Sequence, residues 1–159
     1  MTFTLISPDV ADGQPVPMAQ VHEKAGGGNR SPALVWSGSP EGTKAFAVTC
    51  YDPDAPTGSG WWHWTVVDLP ADATGLPGGV TADGQGLPAG AVQGRTDFGS
   101  AGYGGPAPPP GDTPHRYIFT VHALSKPLGL DDQASGAMVG FNIHFASLSS
   151  ASLTALYGR

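Results

Sequence analysis

Twenty-four glycines and sixteen prolines, a quarter of the 159 residues, punctuate this chain, and between them lie short apolar runs rich in β-branched and aromatic side chains. Proline fixes φ and lacks an N–H, and glycine loses the most conformational freedom on ordering, so neither sits easily inside a helix or a central strand. A chain cut this often must build its regular structure from short strands joined by loops. The same composition borders that of disordered chains, but the intervening runs are too apolar and too regular for that. Thr2 to Ile6, Ala33 to Trp36, Ala45 to Tyr51, Trp62 to Leu69 and His115 to Leu124 each have strand length and composition, with turn residues between them.

In Ala45-Phe46-Ala47-Val48-Thr49-Cys50-Tyr51 both alternating faces are largely apolar, as expected of a strand covered on two sides. The fold class expected is therefore all-β: an antiparallel sandwich of two sheets. At this length one core is expected, since single domains most often run to about 100–150 residues, and no repeat or linker divides residues 1–159 into two domains. The connectors Gly26-Gly27-Gly28-Asn29, Gly75-Leu76-Pro77-Gly78-Gly79 and Pro106-Ala107-Pro108-Pro109-Pro110-Gly111 read as loops. The tail reads as helical. No proline occurs from Asp131 to Tyr157, and Ala134, Ala137, Met138, Phe141, Phe145 and Leu148 share one helical face that would cover the open side of a sheet. Asp131 is the expected N-cap. Gly136 and Gly140 each cost about 1 kcal/mol relative to alanine, which predicts either two helices broken near Gly140 or one held by packing.

The formal net charge is −6, and the seven Lys and Arg residues are scattered. Nucleic acid is excluded as a partner, because phosphate backbones are bound through clustered basic residues. No apolar run reaches the roughly 18–20 residues that span a bilayer. Met1 to Ile6 lacks the basic start and long apolar core of a secretory signal, and Cys50 has no partner for a disulfide. A cytoplasmic location is the expectation.

The residues that promise chemistry fall in three places. In Tyr51-Asp52-Pro53-Asp54-Ala55-Pro56 two carboxylates stand on a loop stiffened by two prolines. An Asp-Pro turn whose carboxylates cap nearby N–H groups would look the same. In Trp61-Trp62-His63-Trp64, strand alternation places Trp62, Trp64 and Val66 on one face and His63, Thr65, Val67 and Leu69 on the other. His63 on such a face is either a satisfied core residue or, with Asp52 or Asp54 as partner, an oriented imidazole whose cationic form is favoured. In Pro114-His115-Arg116-Tyr117 the side chains of His115 and Tyr117 point the same way, after the loop Gly102-Tyr103-Gly104-Gly105-Pro106, whose bare N–H groups can approach an anion closely. That glycine run follows no dinucleotide or Walker pattern.

Taken in order, Asp52-Pro53-Asp54-Ala55-Pro56, Trp62-His63, Gly104-Gly105-Pro106 and Pro114-His115-Arg116-Tyr117 resemble the phosphatidylethanolamine-binding protein family, also called Raf kinase inhibitor protein-like, and the surrounding stretches resemble its bacterial branch. The resemblance runs from about Phe3 to Arg159. It implies a β-sandwich with short C-terminal helices and a small surface pocket for phosphate-like and carboxylate anions, lined by Asp52, Pro56, Trp62, His63, Gly104, Gly105, Pro106, His115 and Tyr117, with Asp54 at the rim. The histidine pair of many eukaryotic members is Trp62-His63 here, and the loop position that is often cysteine in bacterial members is Ala107.

The function expected is recognition without catalysis, as a regulatory or kinase- or protease-inhibitor-like module. His63 and His115 would supply charge and N–H donors, the glycine loop its amides and Tyr117 its hydroxyl, while Asp52 would orient His63 and raise its pKa. The ligand would be a small anion, a phospholipid headgroup or a phosphorylated protein. No cofactor and no metal is expected, because no His-x-His or His-Glu-x-x-His pair occurs. The alternative is a hydrolase, metal-assisted or metal-free, built on His63, His115 and Asp52; no Gly-x-Ser-x-Gly elbow is present. By family resemblance a cis bond is expected at Ala55-Pro56. A homodimer is expected too, with apolar area near Trp61, Phe98 and Tyr103.

Overall fold

The computed structural model describes residues 2–159. Its strands are β1 (Thr4–Ile6), β2 (Leu34–Ser37), β3 (Ala45–Asp52), β4 (Trp61–Pro70), β5 (Gly75–Leu76), β6 (Val92–Gln93), β7 (His115–Leu124) and β8 (Ser147–Tyr157). One 3-10 turn, Glu23–Ala25, and one helix, α1 (Gly136–Ala146), complete the regular structure. The strands form two antiparallel sheets, ordered β1-β2-β5 and β6-β4-β3-β7-β8. All five runs read as strands from the sequence are strands.

Leu5, Leu34 and Trp36 of the small sheet pack onto Phe46, Val48, Trp64, Val66, Phe119 and Val121 of the large one, forming the main core. The other face of the large sheet carries a smaller cluster in which Ala45, Ala47, Val67 and Leu124 lie under Val139, Ile143 and Ala146 of α1. Both faces of β3 are therefore covered, which is why its sequence lacks apolar-polar alternation.

The tail departs from the helical reading at both ends. The N-cap is Ser135, whose Oγ accepts from Met138 N–H at 3.1 Å, whereas Asp131 bonds Gln133 N–H in the loop before it. The helix ends at Ala146, and Ser147–Tyr157 runs as an edge strand paired with β7 from His115 to Leu124. Tertiary pairing overrides helical periodicity here, with Leu153 and Ala155 turned into the core. The buried face is also the other one. Gly136, Val139, Ile143 and Ala146 face the sheet, while Phe141 and Phe145 are 63% and 68% exposed. The reason lies in Trp62, whose indole occupies the space that a Cβ on Gly136 would need, 2.1 Å from its nearest ring atom. Gly136, which weakens the helix, is what lets its first turn sit on that ring, whereas a Cβ on Gly140 would only touch the indole at 3.6 Å.

Candidate functional site

At one end of the main core a cavity of about 400 Å³ opens beneath the loop after β3. β3 delivers Asp52 to it as its last residue, and β7 delivers His115 and Tyr117 as its first and third residues. Asp52 is 2% exposed. Its Oδ1 accepts the Asp54 N–H at 2.7 Å, closing the Asp-Pro turn, while its Oδ2 lies 2.8 Å from Nδ1 of His115. One carboxylate therefore serves the turn and the pocket together.

Nε2 of His115 lies 2.9 Å from Oδ2 of Asp112, which stands on the loop just before β7. Two carboxylates on two ring nitrogens are satisfied together only by the doubly protonated ring. Burial opposes that charge, but the bonds from Asp52 and Asp112 outweigh it and the pKa of His115 is raised.

His63 arrives by a different route. Cys50 is paired with Trp64 and Tyr51 with Trp62, so His63 is an extra residue in β4, a bulge. Alternation had set it opposite Trp64; the bulge brings it to the inner side with Tyr117, at 5.2 Å between ring centroids, and turns Trp62 outward against Tyr51 and α1. A second shift, between Phe46 and Val48, likewise sends Leu69 to the main core and leaves Val67 under α1. Asp52 is not the hydrogen-bond partner of His63, and neither is Asp54. The Nδ1–H of His63 donates to the Gly104 carbonyl at 2.6 Å. Burial lowers its pKa to about 4, so it is neutral where it was expected to be charged.

The glycine loop is spent on structure as well. Gly104 N–H donates to His63 O and Gly105 N–H to Asn29 Oδ1, so those amides do not face the cavity. A Cβ on Gly105 would fall 2.1 Å from Gln20 O, and Pro106 O accepts from His22 N–H. Gly104, Gly105 and Pro106 support the wall rather than form it. Trp61, not Trp62, lines the cavity, since the bulge reverses the pair. Pro56 does line it. No peptide bond among the described residues is cis, against the expectation at Ala55-Pro56. The turn is held instead by Asp52 Oδ1 on Asp54 N–H and by Ala55 O accepting from Thr57 N–H. Asp54 is turned outward, where the Arg116 guanidinium grips it with two bonds of 2.9 Å and lowers its pKa to about 2.

Lys24, Asp97, Phe98 and Asp112 belong to the site and were missed in the sequence. For Asp112 a signal exists: it lies three residues before His115. Lys24 and Phe98 come from loops whose paths no local pattern gives. The Trp61 Nε1–H is buried without a partner, and burial pushes the Tyr117 hydroxyl far above its ordinary range, so it stays protonated.

A two-sheet antiparallel sandwich with an Asp-His corner at one end of its core defines a known class. The family model described as Phosphatidylethanolamine-binding protein matches residues 6–158, and the chain belongs to that family. It is 58% identical to the UPF0098 protein YbhB of Escherichia coli over 96% of this chain and 98% of that protein. The crystal structure of E. coli YbcL, described as a new member of the mammalian PEBP family, superposes with a TM-score of 0.97 at 50% identity, covering 100% of this chain and 99% of that one. A Mycobacterium tuberculosis relative, LppC, named as a lipoprotein candidate, is 38% identical over 98% of this chain and 72% of that protein.

Proposed function

We propose that the pocket binds a small phosphate-like or carboxylate anion and that the protein acts by recognition without catalysis. The observation that carries this is His115. His115 lines the cavity, Asp52 holds its ring charged from behind, and its Nε2–H is taken by the part-exposed Asp112, which lies in the neighbouring depression with Asp54 and Arg116. A ligand oxygen would take that N–H from Asp112, with Lys24 in the wall adding positive charge and Tyr117 a hydroxyl. Proline and aromatic walls exclude water and strengthen each bond. Hydrolysis is not part of this reading, because Asp52 is committed to a backbone N–H and to His115 and so activates no nucleophile.

The anion would be free, or carried on a phosphorylated protein or a lipid headgroup. A regulatory or inhibitor-like role follows from the family. A cytoplasmic location stays part of the proposal, resting on the lone buried Cys50. Among the described residues no helix is long and apolar enough to cross a membrane. A homodimer is proposed through a different surface from the one expected. Tyr103 is buried in the main core and Trp61 and Phe98 pack edge to face in the pocket wall, whereas Met138, Phe141, Phe145 and Leu148 are exposed on a stretch without one Lys, Arg, Asp or Glu. An uncharged apolar face is matched by a second copy of itself.

Calorimetric titration with inorganic phosphate tests the function. Binding is expected at mildly acidic to neutral pH, weakening by at least about tenfold in His115→Gln. The anion reading fails if phosphate does not bind, or binds this variant equally well.

A further inference from the structure

We propose that the pocket selects an oxyanion that still carries a proton, with an O–H to donate as well as oxygens to accept, and that Nε2 of His63 makes the selection. This rests on the reading that the pocket binds a small oxyanion, and it goes further by naming which protonation state and which phosphate chemistry the site takes.

The argument begins at Gly104. Its carbonyl can only accept, so the nitrogen 2.6 Å from it, Nδ1 of His63, carries the proton. The ring cannot turn over without setting a carbon against that oxygen. It is also held by Gly104 N–H on its own backbone carbonyl and by edge-to-face packing against Phe98 and Tyr117 at 5.5 and 5.2 Å. At 4% exposure, with backbone carbonyls as its bonding partners and the Asp52 carboxylate acting only through space, burial prevails, the ring stays neutral, and its low pKa agrees. Nε2 is therefore a bare lone pair. No group of the described residues donates to it, and the residue lines the cavity.

The two imidazoles of the pocket thus offer opposite groups. His115 presents an N–H when the ligand displaces Asp112, and His63 presents a lone pair. A fully deprotonated oxyanion satisfies the first and meets the second oxygen to nitrogen with no hydrogen between them. Hydrogen phosphate satisfies both. A site built around a hydrogen bond to a ligand O–H rejects the analogue that lacks it, because its own buried polar atom is left unpaired. The rule reaches beyond inorganic ions. A phosphodiester, the linkage of a phospholipid headgroup, never carries an O–H near neutral pH, whereas free phosphate does and a phosphomonoester does when singly charged. The geometry therefore favours free phosphate or a monoester monoanion over a diester.

The test is calorimetry on the full chain with four probes near neutral pH: phosphate and arsenate, which keep an O–H, and sulfate and dimethyl phosphate, which do not. Sulfate is doubly and dimethyl phosphate singly charged, so they bracket phosphate and charge alone cannot produce the pattern. Phosphate and arsenate are expected to bind at least about tenfold more tightly than both others. In His63→Gln, whose amide can offer an N–H, sulfate should gain on phosphate. Equal binding of all four, or a preference for sulfate or dimethyl phosphate, overturns the selection and leaves the anion reading standing. If none binds, both fall. The wild-type comparison decides even if the variant does not fold. Methyl phosphate and inorganic phosphate, both titrated at mildly acidic pH where each is a monoanion and His115 is charged, then separate the sources. Comparable binding of the two points to a phosphorylated protein or lipid monoester, and binding by inorganic phosphate alone points to the free ion.

Discussion

The pocket holds two histidines only one Tyr117 ring apart, and they are in opposite states. His115 and His63 expose little surface, 3% and 4%, and burial opposes a charge on both, though His63 lies deeper among protein atoms and meets the larger penalty. What separates them is that depth together with the atom each ring meets. His115 meets the carboxylates of Asp52 and Asp112, which stabilise a positive ring; His63 meets the Gly104 carbonyl, which fixes a tautomer but is too weak a partner to offset desolvation. In this fold the charge of a buried imidazole is decided by its depth and by what the neighbouring loop presents.

The largest effect should come from breaking the charged corner. Asp52→Asn leaves His115 without its buried counter-charge and is expected to cost about 2–4 kcal/mol in urea unfolding at neutral pH. A loss below about 1 kcal/mol would mean that His115 is neutral already.

The pH dependence of stability should then show the two histidines on opposite limbs. His115, raised in the fold, contributes stability that is complete below its ordinary value of about 6.5 and is lost as pH rises through the raised value. His63, lowered to about 4, contributes stability that is present above about 6.5 and is lost as pH falls toward 4. His122, also lowered to about 4 by burial, acts on the same acid limb, and partly buried His22 adds a smaller share. Asp54, lowered to about 2, loses its contribution below this window. His122→Gln should therefore remove part of the acid limb and leave the alkaline one unchanged. A limb that disappears entirely would show that His63 is not held neutral.

The smallest change is expected at Asp112, which is part exposed. Asp112→Ala should cost under about 1 kcal/mol. It should still move the His115 limb to lower pH, which is the reading that distinguishes its role from plain surface loss.

The five strands and the three clusters of chemistry were legible because each rests on local signals: proline and glycine punctuation, β-branched runs and residues two apart on one strand. What was not legible depends on registers that sequence does not fix. One extra residue at His63 reversed the roles of Trp61 and Trp62 and carried the imidazole away from Asp52 to Gly104. The tail was misread because Phe141 and Phe145 look like core residues, whereas the indole of Trp62 admits only the glycine side of α1. Ser147 to Tyr157 lacks proline and was read with the helical tail, yet it completes the sheet on β7. The alternation of Ala151, Leu153, Ala155 and Tyr157, which face the core, was the signal passed over. Asp112 was passed over because a carboxylate in a proline-rich loop usually caps its own turn.

The opposite charge of the two imidazoles is the central claim, and long-range proton–nitrogen NMR of the histidine side chains tests it most directly. Near pH 6.5 the His115 nitrogens should both show the shifts of a protonated ring. His63 should show one protonated nitrogen at Nδ1 and one unprotonated at Nε2, and the latter should move upfield on adding phosphate and not on adding sulfate. A charged His63 or a neutral His115 at that pH would contradict the account.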